Sequence, residues 1–202
     1  MNIIIDMNNR GDSLRDKKIY SKYQKFLLDE LMYIDSMFDI YIYLKNQHVN
    51  RVEILNIAPA FFGLTENALL ESTAIRLSRL FDHHKKSITI NKFINFIESN
   101  RKEIFKEDIK ITEDELLKLI EEDKIKLESF QSKIKGLKKI RDKTLAHNDR
   151  CNLEDDFDIW TNANIVIGDI HDLIQYGVDV INNYSQYTDN TFHSIQATNK
   201  LD

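Results

Sequence analysis

Chain-breaking residues are scarce here: one proline and five glycines in 202 residues. Loop-rich and all-β folds spend turn residues far more freely, so the shortage excludes them and points to long helices. The single cysteine, Cys151, excludes an internal disulfide framework and sets a reducing cytoplasm as the expected location. No apolar run approaches the roughly 20 residues that cross a bilayer. The patch Met1-Asn2-Ile3-Ile4-Ile5 is stopped by Asp6, too soon for a signal peptide. Metal-ligand spacing is missing too. His83 and His84 are adjacent and point in different directions, with no Cys pair and no His-x-x-x-His to support them. No metal and no cofactor is therefore expected. The net charge is −5, so any attraction to nucleic acid must be local.

What is present is helical periodicity. From Tyr20 to about His48, Tyr23, Phe26, Leu27, Leu31, Ile34, Met37, Phe38, Tyr41 and Leu44 recur at three- and four-residue steps and predict one buried face. A second helix spans Arg51 to Phe81, with a kink or a short lead-in segment expected at Pro59. Thr89 predicts an N-cap for a short helix over Ile90 to Ser99. Thr112 and Glu115 form a capping-box pattern that opens a long helix running to Leu145. Gly136 inside it predicts a close approach or a bend. Residues 152–158 read as an acidic connector, and the last helix spans Trp160 to Tyr187. The expected architecture is all-α, an up-and-down bundle of four main helices and one short one. Residues 1–18 are expected to form a loose arm, 19–187 one domain, and 188–202 a polar tail.

Local charge concentrates in Lys133–Arg150. Lys133, Lys135, Lys138, Lys139, Arg141 and Lys143 crowd together there, with Asp142 as the only acid before Asp149. A guanidinium can clamp a phosphate and a neutral imidazole can take a proton near pH 7, so Arg141 and His147 point to RNA strand cleavage. On a regular helix the two lie about 120° apart. Either the helix ends or distorts near Ala146, or a second copy of the segment completes the site. The bland alternatives remain: lysines on a solvated face complementing a helix dipole, and a helix-terminal histidine satisfied by a carbonyl. Arg76, Arg79 and Asp82 are spaced for an i,i+3 ion-pair ladder, or for presenting an arginine to the same cleft as His147.

Arg141-Asp142-Lys143-Thr144-Leu145-Ala146-His147-Asn148-Asp149 resembles the signature of the HEPN superfamily, an Arg, then a polar residue, then a His. The run Ile75-Arg76-Leu77-Ser78-Arg79-Leu80-Phe81-Asp82 and the short helix opened by Ser87-Ile88-Thr89-Ile90 look like the abortive-infection AbiU-type branch. That resemblance spans about Tyr20 to Tyr187. It implies a metal-independent endoribonuclease of a defence or toxin–antitoxin type, dimerising so that two motifs share one cleft. His147 would then act as general acid or base on the ribose 2′-OH, Arg141 would stabilise the phosphorane, and Asp142 would orient its neighbours. Lys135, Lys138, Lys139, Lys143 and Arg79 would hold the RNA backbone, with Asn148 and Asp149 in support. An antitoxin partner is a further implication. Where some toxins of this type carry a tyrosine modified by a partner nucleotidyltransferase, this chain has Asp149. A non-catalytic module binding RNA, a nucleotide or a protein is the alternative.

Overall fold

The computed structural model describes residues 6–84, 86–105, 111–146 and 159–194, and every regular element among them is helical. The order is α1 (Asp6–Asn50), α2 (Val52–Leu55), α3 (Pro59–Leu80), α4 (Ile90–Ile104), α5 (Glu113–Ser129), α6 (Gln131–Ala146), α7 (Ile159–Ala163) and α8 (Ile167–Thr188). The α1 helix packs on α3, α4 and α8, while α6 closes the bundle against α3. The core is built from the predicted stripes. Leu27, Leu31, Ile34 and Phe38 of α1 are buried with Ala74 and Leu77 of α3, Phe93 and Ile97 of α4, Leu137 and Ile140 of α6, and Ile170 and Ile181 of α8. The two sequence-predicted caps form as well. Thr89 accepts from the Lys92 amide, and Thr112 and Glu115 close a reciprocal box that satisfies two orphan N–H groups.

Four boundaries differ from the sequence reading. Residues 6–18, expected as a loose arm, belong to α1. Pro59 is the first residue of α3, where its missing N–H costs nothing, and α2 is the lead-in before it. The long helix from Thr112 to Leu145 is two helices, broken at Phe130, whose ψ is 0°. The Phe130 ring there packs 5.4 Å from the Tyr176 ring of α8. Near Trp160 the single expected helix divides into α7 and α8, because Asn164 adopts a left-handed φ of 53°, a conformation asparagine tolerates. The Asp169 carboxylate then accepts from the Val166 amide 2.9 Å away and pairs with Lys133 of α6, anchoring the start of α8.

Gly136 marks a close approach rather than a bend. A Cβ there would lie 2.5 Å from the Ala163 carbonyl oxygen and 2.7 Å from Ile165 Cδ1, so glycine is what lets α6 lie on the α7–α8 turn. At Gly63 on α3 a Cβ meets nothing within 4 Å. The same substitution should therefore act with opposite signs. Gly63→Ala is expected to stabilise by up to about 1 kcal/mol through helix propensity. Gly136→Ala is expected to destabilise by roughly 1–3 kcal/mol through overpacking. Chemical denaturation of both variants checks the sign, and a stabilising Gly136→Ala refutes the close approach.

One buried polar cluster escaped the sequence reading. Asp123 of α5 accepts from the Tyr184 hydroxyl at 2.7 Å and from Asn183 Nδ2 at 2.9 Å, while its carbonyl accepts from Tyr176 at 2.7 Å. Burial pushes its carboxyl up to about 6 in spite of those bonds. The cluster ties α5 to α8.

Candidate nucleic-acid cleft

The cleft begins where α3 ends. Beyond Leu80 the chain turns, and the His83 amide donates to Asp82 Oδ1 at 2.7 Å. Lys92 of α4 reaches back to donate to the carbonyls of His84 (2.8 Å) and Ser87 (2.7 Å), which fixes the turn between α3 and α4. Because α6 packs on α3, this turn meets the C-terminal half of α6, and there Arg141 Nη1 donates to Asp82 Oδ2 at 2.7 Å. Arg141 Nε also donates to Asp142 Oδ1 at 2.9 Å, with Nη2 lying 2.8 Å from the same oxygen. Only 15% of the Arg141 side chain is exposed.

Electrostatics lock this trio. Burial alone would raise the Asp82 carboxyl. The hydrogen bonds from Arg141 and the His83 amide, with the charges of Arg141 and Lys138, outweigh burial and hold it below the usual carboxylate range. Burial likewise opposes the Arg141 charge, and the two carboxylates more than restore it. Arg141 therefore stays charged, but its charge is shared between Asp82 and Asp142.

Around this trio lies an open hollow of about 590 Å³, bounded by α1, α3, the α3–α4 turn and α6. Its arginines are Arg76, Arg79 and Arg141, its acids Glu30 and Asp82. Phe26, Leu80 and Ile88 supply an apolar wall, and His84 and Ser87 come from the turn. Arg76 Nη1 lies 3.2 Å from Glu30 Oε2, and its guanidinium sits 4.5 Å over the Tyr33 ring. Arg79 is exposed and has no ion pair among the described residues. The i,i+3 ladder does not form: Arg76 turns to α1 and Asp82 to α6, which leaves Arg79 between them facing the hollow.

The structure thus brings together Arg141, Asp142 and Arg79. Lys138 is exposed and near enough to Asp82 for its charge to act there. Lys135 is exposed, and Lys143 is half-buried. Lys139 is engaged elsewhere, donating to the Asn162 carbonyl at 2.8 Å and to its side chain, so that lysine grips α7. His147, Asn148 and Asp149 lie outside the described residues. Sequence reasoning missed Asp82 as the partner of Arg141, and it placed Phe26 in the core. The available signal for Asp82 was a lone acid just past a helix end bearing two arginines. Among the described residues, no three His, Cys, Asp or Glu side chains converge to hold a metal ion, and no helix is long and apolar enough to cross a membrane.

An all-helical bundle with an arginine of α6 fixed beside a cleft, six residues before a histidine, is the arrangement of a HEPN-type protein. The profile of the AbiU2 family of HEPN proteins matches residues 17–200, nearly the whole chain, and the chain belongs to that family. No curated protein matches it, and neither does any solved structure.

Proposed function

We propose that this protein is a metal-independent endoribonuclease of a defence or toxin–antitoxin type that cuts single-stranded RNA or tRNA. The observation that supports this reading is Arg141 held at the edge of a cationic cleft by Asp82 and Asp142, with His147 six residues on. Asp142 orients the guanidinium, as a polar neighbour in that position should. His147 takes the proton from the ribose 2′-OH, the 2′ oxygen attacks the adjacent phosphorus, and the bond to the 5′ oxygen breaks as that oxygen is protonated. The products are a 2′,3′-cyclic phosphate and a 5′-hydroxyl end, with no metal and no added oxidant or reductant required. Arg141 opposes the charge that builds on the phosphorane. In this reading a second protomer brings its own copy of the motif to the cleft and completes the site. Action as a cytoplasmic homodimer, with an antitoxin partner to restrain it, belongs to the same proposal.

The second reading is a non-catalytic module for RNA, a nucleotide or a protein. One observation favours it: Arg141 already has two carboxylates and so offers an incoming phosphate less net charge than a free arginine. Incubating the protein with single-stranded RNA, its 2′-O-methyl analogue and DNA of the same sequence, all in EDTA, decides between them. Cleavage of the RNA alone, leaving cyclic phosphate ends, is the expected result. An intact RNA strand, or cleavage restored only by added metal, overturns the nuclease reading.

A further inference from the structure

By spacing Phe26 belongs to the apolar stripe of α1, yet its side chain is 42% exposed and lines the cleft. Ile88, 39% exposed, stands in the same hollow from the α3–α4 turn, with buried Leu80 also on this wall. A single-stranded nucleotide presents both halves of this surface with a partner: a flat apolar base face and an anionic phosphate. The charges narrow the assignment. Arg76 is committed to Glu30, and Arg141 to Asp82 and Asp142. Arg79 alone among the lining arginines carries a charge that no described carboxylate offsets.

We infer that the cleft holds one unpaired nucleotide of an RNA strand, its base against Phe26 and Ile88 and its phosphate on Arg79. This subsite rests on the RNA reading of the cleft, but not on cleavage. A duplex keeps its bases stacked and paired, so no base face reaches Phe26. A free mononucleotide has no second phosphate to offer Lys138, which is exposed on α6 and close enough to Asp82 for its charge to act there. A strand is therefore favoured over both.

The test is anisotropy of a labelled 2′-O-methyl-RNA strand, which cannot be cut, with the full chain at fixed salt. Phe26→Ala is expected to weaken binding roughly 5- to 150-fold, the loss of one stacked base. Phe26→Trp is expected to bind as wild type, with its indole fluorescence quenched by the strand. Arg79→Gln is expected to weaken binding and to flatten the log–log salt slope by roughly 0.7, one phosphate contact. Ile125→Ala, at an apolar position even more open to water but off the cleft, is expected to change nothing. The inference fails if Phe26→Ala binds as wild type, if Phe26→Trp is not quenched, or if the annealed duplex or AMP binds as tightly as the strand. Because the probe is uncleavable, these outcomes are separate from those of the cleavage assay: a protein that binds in this way without cutting keeps the subsite and loses the nuclease.

Discussion

Replacing His147 with alanine is expected to slow cleavage of single-stranded RNA by roughly 10²- to 10⁴-fold, the usual worth of a positioned general acid or base. Arg141→Ala is expected to cost roughly 10²- to 10³-fold, because a charge already fixed near the phosphorane needs no reorganisation as the transition state forms. The two losses should not multiply in the double variant, since groups that act as one unit share a single effect. Arg141→Lys separates charge from geometry. A lysine carries the same charge on one point, and it cannot reach Asp82 on one side while lying in the plane of Asp142 on the other. It is therefore expected to behave much closer to alanine than to wild type. Single-turnover rates with saturating protein read each step without product release. A His147→Ala protein that cuts at the wild-type rate removes the acid–base assignment, and an Arg141→Lys protein that does so removes the fork.

Periodicity carried most of the fold because the buried faces of α1, α3, α4 and α8 follow from local spacing alone. Leu27, Leu31, Ile34 and Phe38 are core wherever the helix docks, and Thr89 and Thr112 act on their own next turns. What stayed hidden depends on contacts between distant segments. The break at Phe130 reflects a ring that meets Tyr176, 46 residues away in the chain, and nothing beside it in sequence is a helix breaker. Gly136 announced a close approach without naming Ala163 and Ile165 as the neighbours. The site divides in the same manner. Arg141 and Asp142 are adjacent, so their pairing was legible. Asp82 joins them only because α6 lies on α3, a fact of topology. Phe26 misled for a related reason. Its spacing fits the core stripe, but it lies about 100° round the helix from buried Leu27, on the flank it shares with Glu30, so the ring lines the cleft.

On the nuclease reading Asp82 serves both stability and chemistry, and the two roles can be read apart. Its carboxylate and the Arg141 guanidinium are 19% and 15% exposed, between a surface pair and a fully buried one. Asp82→Asn is therefore expected to cost roughly 1–3 kcal/mol, at about 2–4 °C of Tm for each kcal/mol. The pH dependence has a defined sign. Although burial raises the carboxyl, Arg141, the His83 amide and Lys138 hold it below its ordinary value. The contribution is then fully present above the unfolded value of about 3.9 and is lost as pH falls through the lower native value. The stability gap between wild type and Asp82→Asn should accordingly be flat near neutrality and close only in strong acid. A gap that widens on acidification contradicts the pairing. For the RNA reaction the same substitution removes one of the two negative charges beside Arg141, so the strand is expected to bind more tightly and KM to fall. The guanidinium meanwhile loses the charged partner that fixes its Nη1 side, so kcat is expected to fall as well. A merely structural role would lower the folded fraction and leave both constants of the surviving enzyme alone. In the double-mutant cycle with Arg141→Ala, Asp82 should matter for kcat only while the arginine is present. Equal effects of Asp82→Asn in both backgrounds would show that the carboxylate works through something other than Arg141.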